Sequence, residues 1–208
     1  MFSDIARDDV FRLETARLWL RWPKAGDAVA IMRYASPFEV ARWTTAIPHP
    51  YPPEAAEQFI LRARASNSAG TALHLVATPL RKPWQAIGGF GLDLRRKNQL
   101  TLGYILAPDF WGQGFASEAA AAMVEAAFSL TGVETLHSGA FAGNVRSRRV
   151  LAKAGFETAG SEEEYSATLG SMQKTVRVKL DRQDWLARRA GFAANAFRAD
   201  GARTAGAP

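Results

Sequence analysis

Residues 102–128 read LGYILAPDFWGQGFASEAAAAMVEAAF. A strand-like alternation ends in Pro108, Trp111 and two glycines, then turns straight into a long alanine-rich helical pattern. Gly112 and Gly114 stand at the mouth of that helix, whose first amides have no internal partners, so geometry and dipole both favour bound negative charge. With no Cβ at either glycine, nothing obstructs approach, which lets phosphate oxygens come close to the backbone. A P-loop is excluded, because no Lys-Ser/Thr follows at the required spacing. A dinucleotide fingerprint is nearly met, with Ser117 in the third glycine's place. The next strand, however, ends in Ala140-Phe141-Ala142-Gly143 without the acidic residue that holds a ribose, and an antiparallel hairpin precedes the loop. The glycines alone also fit a plain tight connection between strand and helix.

Working outward, Arg17 to Trp22 alternates as a first strand, and Gly26-Asp27 opens a helical pattern through Ala28, Ile31, Met32 and Ala35. The prolines of TTAIPHPYPP (44–53) exclude regular structure there. Pro53 suits the start of a helix with Phe59, Ile60 and Ala63 on one face. Leu73 to Thr78 reads as a strand, and Ile87 to Leu94 with Gln99 to Leu106 as a hairpin turned by Arg95-Arg96-Lys97-Asn98. The helix after Gly114 carries an apolar stripe of Ala119, Ala120, Met123, Val124, Ala127 and Phe128, with Glu118 and Glu125 on the other side. Thr135 to Phe141 is a strand, Val145 to Ala154 a helix stopped by Gly155, and Thr175 to Leu180 a closing strand. This order predicts a mixed sheet bearing helices, not a doubly wound parallel one. Asp184 to Arg189 predicts a turn or two of helix, and the rest of the segment to 208 either a mobile tail or part of a homodimer contact.

The 208 residues suit one well-buried domain, here residues 1–181 with its core at 12–181 and an appendage at 182–208. There are no cysteines, which removes disulfides, Cys-ligated zinc and thiol covalent catalysis. With no apolar signal region near the start and no run long enough to span a bilayer, a cytoplasmic protein with no membrane partner is expected. The formal charge of +6 suits an anionic ligand. No segment interleaves basic residues with exposed aromatics, so no specific nucleic acid is expected. No metal-ligand spacing occurs, so no metal is expected.

About thirty residues beyond the glycine loop stands NVRSRRVLAKAGF, residues 144–156. The two segments together resemble the GCN5-related N-acetyltransferase superfamily, and most closely its RimJ/RimL-like branch. The family's acetyl-CoA loop, Arg/Gln-x-x-Gly-x-Gly/Ala, is met at Trp111-Gly112-Gln113-Gly114-Phe115-Ala116, with Trp in the first place. The second motif, Asn-x-x-Ser/Ala-x-x-Val/Leu-x-x-Lys-x-Gly-Phe, is met at Asn144, Ser147, Val150, Lys153, Gly155 and Phe156. The opening Glu14-Thr15-Ala16-Arg17-Leu18 and the IPHPY segment (47–51) resemble the same branch.

The resemblance implies a mixed α/β fold: a mostly antiparallel sheet, splayed at the acetyl-CoA site, with helices on both faces. It implies direct transfer of an acetyl group from acetyl-CoA to the amine of a peptide or small molecule. Trp111 to Ala116 would bind the diphosphate through main-chain amides. Ile105 and Leu106 would pair their backbone with the pantetheine arm, and Asn144 would face an amide-bearing ligand or cap its helix. Of Arg146, Arg148 and Arg149, at least two are expected on a solvated face. Relatives often protonate the thiolate with a Tyr seven residues after the Asn, but Leu151 stands there. Ser147, one helical turn from Asn144, is the substitute. Relatives often carry Glu just before Leu-Gly-Tyr, but Thr101 stands there, leaving Glu164 of the run Glu162–Glu164 or a water relay as base. That gap leans toward an α-amine acceptor, which loses its proton more readily than lysine. Trp43, His49, Tyr51 and Tyr165 are expected around the acceptor. His74 and His137, on predicted strands, are read as satisfied there. The Thr101 and Leu151 departures also fit a domain that binds acyl-CoA without turnover.

Overall fold

The computed structural model describes residues 11–94 and 99–190. The chain runs through β1 (Arg12–Glu14), β2 (Leu18–Arg21), α1 (Ala28–Ala35), α2 (Phe38–Ala41), α3 (Ala55–Ser68), β3 (Ala72–Pro79), β4 (Gly88–Leu94) and β5 (Leu100–Leu106). It continues through α4 (Phe115–Leu130), β6 (Thr135–Phe141), α5 (Val145–Lys153), β7 (Glu157–Ser166) and β8 (Ser171–Asp181). One eight-stranded sheet is ordered β1-β2-β3-β4-β5-β6-β8-β7. Every neighbouring pair is antiparallel except β5 and β6.

Helices cover both faces, as expected. On one face α4 buries Ala119, Ala120, Met123, Val124, Ala127 and Phe128, the stripe read from the sequence, against Leu73, Leu92 and Leu102. Four alanines in succession give strong helix propensity and let this helix lie close on the sheet. On the other face α1 and α3 bury Ile31, Tyr34, Ile60 and Ala56 against Val76.

Three expectations change. The strand β7 was not read from the sequence, because its residues carry no apolar alternation. It is an edge strand paired only with β8, held by cross-strand charge partners such as Glu163 opposite Lys174. The division at residue 181 falls inside the packed body: residues 182–190 are helical, Trp185 is buried against Phe128 at 5.1 Å, and Arg182 donates to the carbonyls of Phe128, Thr131 and Val133. Thirdly, Glu118, read only as lying opposite the apolar stripe, is tied down by the first strands. Its carboxylate accepts from Thr15 Oγ1 (2.6 Å), Arg17 N (2.7 Å) and Arg17 Nε (2.6 Å), tying the first strands to the first turn of α4. The turn expected at 95–98 and the segment beyond 190 lie outside the described residues.

Burial alone would raise the Glu118 pKa, but the bonds from Thr15 and Arg17 outweigh it and hold it below the ordinary glutamate value. A lowered folded value means stability that is complete above the ordinary glutamate range and lost as pH falls through the folded pKa. Glu118→Gln is therefore expected to cost about 2 kcal/mol at pH 7. It should also flatten the acid side of the stability–pH curve, measured by urea unfolding between pH 3 and 7.

Candidate active site

The strands β5 and β6 pair at one position, Thr101 with His137, and then diverge. Ser138 Oγ fills the start of the gap by donating to Leu102 O at 2.8 Å. Backbone groups alternate sides along a strand. Ala107 N donates toward β4, to Ile87 O at 2.8 Å, so Ile105 and Gly103 also address β4. Tyr104 and Leu106 address the gap. Ile105 is expected to pair with a pantetheine arm, but its backbone is turned to β4, and the Tyr104 backbone faces the gap instead. The Leu106 carbonyl receives the Trp111 indole N–H at 2.8 Å, leaving its amide facing the gap.

The glycine loop closes one end of this gap. Gly112 (φ 74°) and Gly114 (φ 84°) both sit in the left-handed region, where a side chain is strained. Glu118 N is the first amide of α4 to reach a helical carbonyl, Gly114 O at 3.0 Å, so the amides of Phe115, Ala116 and Ser117 point out of the helix end. Arg17 clamps the loop from behind, donating to Gln113 O at 3.0 Å and lying 4.3 Å over the Phe115 ring. The Gln113 side chain folds back onto Asp109 O, and Phe115 packs on Phe110, so these two offer only backbone to a ligand. A cavity of about 480 Å³ follows the gap past Trp111, Gly112, Gly114, Ala116 and Asn144. Arg146, stacked 4.9 Å over Trp111, and Arg149 also line it, whereas Arg148 does not.

Asn144 caps α5, its Oδ1 accepting from Ser147 N at 3.1 Å. Asn144→Ala is expected to lower stability by about 1 kcal/mol, read as a drop in thermal midpoint. Ser147 Oγ meets the Tyr104 hydroxyl at 2.9 Å. The Tyr104 ring stacks on Phe90 at 5.5 Å, and burial pushes its pKa up to about 12 against the lowering pull of Ser147. Leu151 is buried in the core and reaches nothing in the gap.

A second cavity of about 400 Å³ lies on the α1/α3 face and meets the first at Trp43, Gly103, Tyr104, Ile105, Gly139 and Ala140. Tyr51 and Glu164 line it, as Trp43 does. The Glu164 carboxylate accepts from Arg177 Nη2 at 3.0 Å, and the same guanidinium binds Glu162, so Glu164 is engaged in an ion pair rather than presented to the cavity as a free base. Two expected members are elsewhere. His49 bonds Ser36 O through Nδ1 at 3.1 Å and packs on Phe38, outside the cavity. Tyr165, next to Glu164 on a strand, points to the opposite face and is exposed. Two buried hydroxyls that line the cavity, Tyr34 Oη and Thr175 Oγ1, have no hydrogen-bond partner among the described residues. Burial, with Asp27 and Tyr51 nearby, holds the Tyr34 phenol above its ordinary range, so it is a neutral donor.

Sequence reading overlooked Tyr104, Arg177 and the Arg17–Glu118 clamp. Tyr104 alternates with Leu102 and Leu106 and so reads as core. Only the fold brings it to Ser147. Arg17 and Glu118 gave one signal, the ETARL opening, without a role.

The acetyltransferase (GNAT) domain family matches residues 17–157. The uncharacterized N-acetyltransferase YoaA of Bacillus subtilis (strain 168) is 31% identical over 173 residues, covering 78% of this chain and 92% of that protein. Among solved structures, the ribosomal-protein-S5-alanine acetyltransferase from Vibrio fischeri superposes with a TM-score of 0.69 at 22% identity, over 84% of this chain and 98% of that one. The spermidine N-acetyltransferase from Vibrio cholerae, in complex with CoA and spermine, gives a TM-score of 0.68 at 18% identity, over 81% and 98%.

Proposed function

This chain belongs to the GNAT acetyltransferase family and is an acyltransferase, and we propose that it acetylates the α-amine of a peptide or protein from acetyl-CoA, in the manner of the RimJ/RimL-like branch. The observation that carries this reading is the pair of cavities meeting at Tyr104, one floored by free helix amides and the other by buried hydroxyls.

In this reading the diphosphate of acetyl-CoA lies against the amides of Phe115, Ala116 and Ser117, and its pantetheine amides bond the Tyr104 and Leu106 backbone as a further strand. Arg146 and Arg149 flank the phosphates. The acceptor enters from the α1/α3 face, past Trp43 and Tyr51. Its amine attacks the thioester carbon where the cavities meet. As the C–N bond forms and the C–S bond breaks, the Tyr104 hydroxyl, coupled to Ser147 Oγ, supplies a proton or hydrogen bond to the departing sulfur. In this reading Tyr104, on a strand, takes the part that the resemblance gives to a tyrosine on the helix, where Leu151 stands. Glu164 acts through Arg177 by holding that guanidinium at the cavity wall.

The charges of the acceptor cavity favour a peptide over a polyamine. Arg62 and Arg177 balance Asp93 and Glu164, so no surplus of anions draws a polycation. The Tyr34 and Thr175 hydroxyls suit the peptide group that follows an α-amine. Free-thiol release from acetyl-CoA tests the reading. Release with an alanine- or serine-terminated peptide and not with spermidine is expected. Release with spermidine alone would overturn the acceptor class, and binding of acetyl-CoA without release from any amine would overturn the catalytic reading.

A further inference from the structure

The reaction needs a base for the acceptor amine, and Thr101 cannot serve. We propose that His74 is that base, oriented by Asp93, an assignment that rests on the acetyltransfer reading above. The register of the sheet carries it. Asp93 stands directly across from Thr101, and His74 directly across from Gly91, which faces Gly103 on β5. All five residues share one face of the sheet, the face that the acceptor cavity covers. The carboxylate that relatives place at position 101 thus stands one strand over.

Its partner is the imidazole: His74 Nε2 and Asp93 Oδ1 are 2.9 Å apart. In the neutral imidazole that bond places the proton on Nε2 and leaves the lone pair on Nδ1. Nδ1 leans over Gly91, where a Cβ would come within 2.8 Å of it. Beyond Gly91, a Cβ at Gly103 would meet nothing within 4 Å. Two glycines therefore leave an open trough from the imidazole nitrogen to the meeting point of the cavities. The backbone beneath the ring is pinned. Buried Asn67 on α3 accepts from His74 N at 2.7 Å and donates to His74 O at 2.8 Å, and Phe59 packs edge-on against the ring. Besides Asp93, the ionisable groups lining the acceptor cavity are Tyr34, Tyr51 and Arg62 from the helical side, Tyr104 from β5, and Glu164 and Arg177 from β7 and β8.

In the proposed step, the acceptor ammonium gives one proton to His74 Nδ1, and the amine lone pair attacks the thioester carbon. The C–S electron pair leaves on sulfur, which takes a proton from the Tyr104 hydroxyl, and the second proton shed by the new amide nitrogen restores that hydroxyl through Ser147 Oγ or water as the intermediate collapses. His74 returns its proton to solvent through the cavity mouth. Asp93 touches no reactant and is a positioning residue.

Long-range ¹⁵N–¹H NMR of the protein with coenzyme A reads the tautomer without any acceptor. The neutral Nε2–H form of His74 is expected, and Asp93→Ala should lose that preference. A Nδ1–H form overturns the proposal. Turnover supplies the second readout, with two probes of one shape: a peptide beginning with glycine, and its aminooxyacetyl counterpart, whose nitrogen is already neutral at pH 7. His74→Gln is expected to lower kcat/KM about 100-fold for the amine and less than about 3-fold for the aminooxy probe. Equal losses on both, or none on either, overturn it. If the unaltered protein binds coenzyme A but acetylates neither probe, the acceptor class proposed above falls, and the tautomer alone decides for His74.

Discussion

Ser117→Glu is expected to weaken coenzyme A binding about 100-fold while leaving the thermal midpoint unchanged or slightly raised. Ser117 lies in the first turn of α4 and lines the cavity beside Gly114 and Ala116. A carboxylate there occupies the field that the free amides present to a diphosphate. At about 6 Å and an effective dielectric near 20, one pair of like charges repels by about 2.8 kcal/mol, which is about two decades of affinity. The same carboxylate is favourable to the helix itself, by about 0.3–1 kcal/mol at the positive end of its dipole. The two effects have opposite signs, so a general loss of structure cannot imitate the result. Calorimetry with coenzyme A and thermal unfolding measure the two quantities. Unchanged affinity would place the diphosphate elsewhere.

Tyr104→Phe is expected to lower kcat about 100-fold, with coenzyme A affinity within about 2-fold of the parent. The ring keeps its stack on Phe90, and only the hydroxyl that meets Ser147 is lost. Ser147→Ala leaves the phenol in place and should cost about 10-fold. Because burial holds the Tyr104 phenol at about 12, it stays protonated across the assay range. The kcat profile should therefore show no alkaline limb from this group below about pH 10. An alkaline limb near pH 8 that disappears in Tyr104→Phe would contradict the assignment. Free-thiol release in steady state supplies the kcat values, and calorimetry supplies the coenzyme A affinity.

The parts of this site that were legible in the sequence are those made of backbone. Gly112 and Gly114 announce a left-handed loop before a helix, and α4 announces its apolar stripe, because both depend on residues close together in the chain. The gap between β5 and β6 was legible only through resemblance, since divergence after Thr101–His137 leaves no local trace. Side-chain pairs drawn from distant strands were not legible. His74 and Asp93 meet because β3 and β4 share a register, and Tyr104 meets Ser147 because α5 lies over the gap. Composition misled for β7, where a glutamate run without apolar alternation forms an edge strand, Glu162 and Glu164 both turning to Arg177. His49 misled in the opposite sense, as a polar residue in a proline loop that faces Ser36 rather than the cavity.

The central claim is that the gap between β5 and β6 receives the coenzyme as a missing strand, with its diphosphate on the end of α4. A crystal structure of the protein with coenzyme A tests this most directly. Pantetheine amides at hydrogen-bond distance, about 3 Å, from the Tyr104 and Leu106 backbone are the predicted result, with diphosphate oxygens equally close to the amides of Phe115 to Ser117. Coenzyme A bound outside this gap, or a gap closed by direct pairing of the two strands, would contradict it.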